Sequence, residues 1–82
     1  MRMMIHENTV ENHKSASGKA IYFTARFGTS QIHDRPVWFP MSQLKIGKFN
    51  DVGWAIIEIP DWLIRKNCLN NAALVELEHC DF

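Results

Sequence analysis

The 82-residue chain has room for one hydrophobic core, and its 46% hydrophobic and 22% charged residues exclude a disordered protein. Nine basic residues balance nine acidic ones, so the whole molecule has no electrostatic preference for a polyanion or a polycation. No stretch is long and apolar enough for a signal peptide or a membrane span, which predicts a cytoplasmic protein without membrane contact.

In that compartment Cys68 and Cys80 are reduced thiols, and both read as packing residues. The stability margin of so small a core is thin, so docking to a partner or homodimer formation would contribute to it. Charge is unevenly spread: residues 1–49 carry a net +4 and residues 50–82 a net −4. Either the halves neutralise each other across the fold, or one of them is a contact surface.

Residues 1–18 are polar after Ile5 and end in a Ser/Gly-rich run, which predicts a flexible N-terminal arm. Met3, Ile5 and Val10 could still pack as an added edge strand. Residues 19–82 read as a single β-rich domain. Residues 19–27 are its clearest strand: Ile21, Phe23, Ala25 and Phe27 alternate with Tyr22, Thr24 and Arg26. A second, antiparallel strand starts at Arg35 and runs to Phe39. Pro40 lacks a ladder donor and marks an edge or a bulge, and Leu44 and Ile46 resume the alternation.

Asn50 to Gly53 is turn chemistry, and residues 54–59 form the next strand, central because Ile56 and Ile57 are apolar on both faces. Pro60 and Asp61 open a helix whose buried side is Trp62, Leu63 and Ile64. Arg65 and Lys66 complement its negative end, with Asn67 in the left-handed closing position. Asn70 and Asn71 turn the chain into a last strand, residues 73–80. The expected fold is α+β, mostly β: a small bent antiparallel sheet or open barrel of four to five strands with one short helix.

No constellation for bond chemistry is present. Cys68 and Cys80 lack the close spacing of zinc ligands, and His79 and Cys80, adjacent in a strand, point to opposite faces. Glu76 and Glu78 share a face, which is either a solvated row or an acidic contact for a basic partner. With no phosphate loop either, the expectation is a protein that is not an enzyme and needs no cofactor or metal.

Two contact surfaces remain. Tyr22 and Arg26 share the outer face of the first strand, with Arg35, Trp38, Lys45 and Lys48 on the second and beyond it. Rings interleaved with cations are how single-stranded nucleic acid is held. Trp38 beside Pro36 and Pro40 is also a rigid anchor for a protein partner, which would pair with Glu76 and Glu78 in a protein-binding reading.

The runs Val-Trp-Phe-Pro-Met-Ser-Gln-Leu-Lys-Ile (37–46) and Ile-Glu-Ile-Pro-Asp-Trp-Leu-Ile-Arg-Lys-Asn-Cys-Leu (57–69) carry a resemblance. Trp38, Pro40, Ser42, Gln43, Pro60, Trp62 and Leu63 resemble small proteins of tailed phages and prophages, found among recombination or host-takeover genes. The likeness covers residues 19–69; Asn67-Cys68 departs from the Lys-Gly ending of that group. That group carries no settled activity; since small phage proteins without a catalytic constellation act by occupying a surface, the expectation is an anti-CRISPR-like inhibitor that contacts a host protein or ribonucleoprotein complex. The other implied class is an accessory of recombination or replication that binds single-stranded nucleic acid.

Overall fold

The computed structural model describes residues 1–28 and 33–79. In chain order its elements are β1 (Arg2–His6), α1 (Glu7–His13), β2 (Ala20–Phe27), β3 (His33–Pro40), one 3-10 turn (Met41–Gln43), β4 (Lys45–Ile46), β5 (Trp54–Glu58), α2 (Asp61–Lys66), β6 (Ala73–Leu74) and β7 (Glu78–His79). The strands form two antiparallel sheets, ordered β4-β5-β1-β7 and β3-β2-β6. The α+β, mostly β class therefore holds, and among the described residues neither sheet closes into a barrel.

Alternation decides the core side of each long strand. Ile21, Phe23 and Ala25 of β2 are fully buried, while Arg26 is exposed. On β3, Val37 and Phe39 turn inward and Pro36, Trp38 and Pro40 outward. The register sets Ile21 against Phe39 and Phe23 against Val37, and the rings of Phe23 and Phe39 lie 5.8 Å apart. Ile5, Ala55 and Ile57 from the other sheet, with Leu63 and Ile64 of α2, complete one apolar cluster.

The segment expected to be a flexible arm is instead part of the fold. β1 pairs with β5 over five residues on one side and with β7 on the other, so it is an inner strand. Ile5 is fully buried. The physical reason is non-local: a short polar-flanked run becomes a strand by satisfying two neighbours' backbone groups, and both neighbours lie far along the chain. α1 follows at once. The Nδ1 atom of His6 accepts the Asn8 amide proton at 3.1 Å, giving the helix its N-cap.

The expected last strand is two strands in two sheets. β6 pairs with β2 at Ala25 and Arg26, and β7 pairs with β1 at Met3 and Met4. The link between them, turned at Leu77 N–H to Leu74 C=O (3.1 Å), ties the sheets together.

Three expectations for α2 shift. Trp62 lies on the outer side, 45% exposed, while Leu63 and Ile64 face the core as expected. Pro60 precedes the first turn as the N-cap residue. The left-handed closing position falls to Cys68 (φ 58°), one residue beyond Asn67 (φ −94°). Leu69 N–H bonds to Ile64 C=O and Cys68 N–H to Arg65 C=O, the paired bonds of a Schellman ending. Cys68 is exposed there and is no packing residue; Cys80 lies outside the described residues.

Candidate functional site

The outer face of the β3-β2-β6 sheet is organised by what covers the edge of β2. Only Ala25 and Arg26 pair with β6 there. Ser15 N–H bonds to Ala20 C=O at 2.7 Å, and Ala20 N–H to Ser15 Oγ at 3.2 Å. His13 Nδ1 lies 3.1 Å from Tyr22 C=O, and since a carbonyl only accepts, that nitrogen carries the proton. Thr24 N–H points at both Glu76 carboxylate oxygens, at 2.8 and 2.9 Å, and Thr24 C=O accepts from Val75 N–H at 2.9 Å. Two side chains thus stand where a longer β6 would run.

A consequence follows on the opposite side. Ala20, Tyr22 and Thr24 direct their main chain away from β3, so their partners Pro40, Trp38 and Pro36 direct theirs to the sheet's open edge. Proline at two of these positions removes two edge donors without breaking a ladder bond. Tyr22 and Trp38 form a non-hydrogen-bonded pair, the closer kind, and their ring centroids are 5.2 Å apart. The His13 ring continues the row at 4.2 Å from Tyr22. Trp38, at its open end, is 52% exposed.

Arg26 closes the same face. Its Nε and Nη2 donate to the two carboxylate oxygens of Asp34 at 2.9 and 3.0 Å, a bidentate pair. These hydrogen bonds hold the Asp34 carboxyl below the usual aspartate range and the Arg26 guanidinium above its own. The charge beside the rings is therefore matched by an acid.

The residues expected to bind nucleic acid do not form one surface. Tyr22, Arg26 and Trp38 share the outer face. Arg35 points to the other side, over the Phe27 ring, and its Nη2 donates to Asn67 C=O at 2.6 Å. Lys45 pairs in register with Glu58 in the other sheet, and Lys48 lies in the loop after β4. Nor do Glu76 and Glu78 share a solvated row. Glu76 sits in the turn between β6 and β7 with its side chain 13% exposed, while Glu78 is exposed opposite Met4. The roles of His13 and Glu76 left no local trace, because Thr24 is 52 positions from Glu76. The Pro-x-x-x-Pro spacing of Pro36 and Pro40 did leave one, since both positions lie on one side of a strand.

A cleft of about 300 Å³ opens between β4, β5 and the start of α2, with Arg2, Lys45, Glu58 and Asp61 in its lining. Arg2 Nε is 3.7 Å from Glu58 and the Met1 nitrogen 3.3 Å from Asp61. Among the described residues no cysteine, histidine or hydroxyl group lines it. Among the described residues no three His, Cys, Asp or Glu side chains gather as metal ligands, and no helix is long and apolar enough to cross a membrane. No protein-family model, curated protein or solved structure matches the chain.

Proposed function

We propose that this protein works by binding another protein through the Trp38 face of the β3-β2-β6 sheet. The observation that carries the reading is the fixed ring row: Trp38 is half exposed, backed by Tyr22, flanked by Pro36 and Pro40, and beside a cation already matched by Asp34. A pre-set aromatic plane loses little side-chain freedom on docking, and tryptophan is among the residues enriched at the hot spots of protein interfaces. A phosphate backbone would need unmatched cations beside the rings. The phage-like resemblance supplies the target class: a host nucleic-acid-targeting defence complex, inhibited by contact, without bond chemistry.

The test is inhibition of purified defence effector complexes in a target-cleavage assay. The wild-type protein should inhibit, and Trp38→Ala should weaken inhibition about 30-fold, as for loss of a central anchor worth about 2 kcal/mol. Equal inhibition by both proteins would reject the Trp38 face. Glu78→Lys should have little effect, because Glu78 lies on a different sheet.

A further inference from the structure

The aromatic residue that turned out to face solvent on α2 lies within a second, differently charged surface. Trp62, Arg65 and Lys66 are exposed on the turn opposite the buried Leu63 and Ile64. Lys66 Nζ sits 6.0 Å from the Trp62 ring centroid. Arg35 adds a third cation, anchored on the carbonyl of Asn67 just past the helix end. Asp61 is the one acid on this helix, and it is engaged with the Met1 nitrogen. Among the described residues no carboxylate lies within ion-pair distance of Arg65, Lys66 or Arg35. In contrast to the neutral Trp38 face, this patch combines one open ring with three uncompensated cations.

We infer that the α2 face binds single-stranded nucleic acid, with Trp62 stacking on a base and Arg35, Arg65 and Lys66 following the adjacent phosphates. Charge complementarity selects a polyanion. The ring narrows the choice: an unpaired base offers a plane to stack on, whereas an acidic peptide matches only the cations, and a duplex keeps its bases stacked inside. The inference is independent of the Trp38 face, which lies on the outer side of the other surface.

The probe is a fluorescein-labelled oligothymidylate, titrated with the full chain by anisotropy at several salt concentrations. Binding should weaken with salt at a log–log slope of about −2, the value for three phosphate contacts on a single strand. Lys66→Ala and Arg65→Ala should each reduce that slope by about 0.7. Trp62→Ala should lower affinity at least about fivefold with the slope unchanged, since stacking carries no counterion release. Trp38→Ala should bind like the wild type, so a failed protein-binding reading leaves this result intact. No binding at low salt overturns the inference, as does equal binding of poly-glutamate, which assigns the patch to acidic peptides. Loss of binding in Trp38→Ala with none in Trp62→Ala also overturns it, by moving the site to the sheet. Circular dichroism on each variant confirms that the fold survives these exposed substitutions.

Discussion

The Glu76 carboxylate receives the Thr24 amide proton, with both oxygens within 2.9 Å. Among the described residues it closes a stretch of β2's edge that no strand covers, alongside His13, whose Nδ1 is 3.9 Å from the same carboxylate. An edge N–H directed at a charged acceptor and sheltered from water is stabilised more than one facing solvent. Glu76→Ala should therefore cost about 1.5–3 kcal/mol. Glu76→Gln, which keeps an acceptor oxygen, should cost less. Urea unfolding of the three proteins measures both, and equal midpoints would show that the contact contributes nothing.

Gly53 closes the β5 turn at φ +88°, with its carbonyl accepting from Glu7 N–H at 2.8 Å. A Cβ there would lie 2.8 Å from His6 Nε2, the nitrogen that bonds to Val52 C=O. Gly53→Ala should lose about 1–3 kcal/mol through backbone strain alone, and more through the clash. In a Gly53→Ala, His6→Ala double variant the contact with the His6 ring disappears and only Glu7 Cδ at 3.2 Å remains close, so the combined loss should fall short of the two single losses added.

Cys68 holds a left-handed conformation that costs an L-residue about 1–2 kcal/mol relative to glycine. Cys68→Gly should raise stability by about 1 kcal/mol, after the entropy lost by a freer unfolded chain is subtracted. An unchanged or lower denaturation midpoint would contradict this account of the helix end.

The Arg26–Asp34 pair makes a prediction about pH. Hydrogen bonds from Arg26 lower the Asp34 carboxyl in the folded protein, so the stability it contributes is present above the unfolded aspartate pKa. That contribution disappears as pH falls through the folded value. The gap in midpoint between wild type and Arg26→Ala should therefore be small, present at neutral pH, and absent in strong acid. An NMR titration should also show the Asp34 carboxyl returning to the ordinary aspartate range in Arg26→Ala.

The two prolines of β3 suggest an experiment on association. Replacing Pro36 and Pro40 by valine restores two outward N–H donors on an otherwise regular edge. The double variant should self-associate with rising concentration in sedimentation velocity, under conditions where the wild type sediments more slowly. Identical sedimentation would mean that something other than proline guards this edge.

Local patterning was enough for much of the frame. The alternation in β2 names its core side, Pro40 marks an edge or a bulge at the end of β3, and Leu63 with Ile64 lies on the buried side of α2. Each of these depends on residues within a few positions, whose spacing alone sets which face they share. Trp62 was misplaced because a hydrophobic residue next to two others on one turn reads as core, whereas the helix meets the core over a stripe only two residues wide.

What the amino-acid order determined by itself is the class of the fold, the inward row of β2 and the burial of Leu63 and Ile64 on α2. What only the tertiary structure decided is partnership: β1 as an inner strand, β6 and β7 in separate sheets, and Glu76 on Thr24. The same holds for the division of cations between a neutralised sheet face and an open helix face. The strand partnerships and the Glu76 contact join segments some fifty or more positions apart, where chain closure, register and competition for backbone donors choose among many patterns that look alike locally.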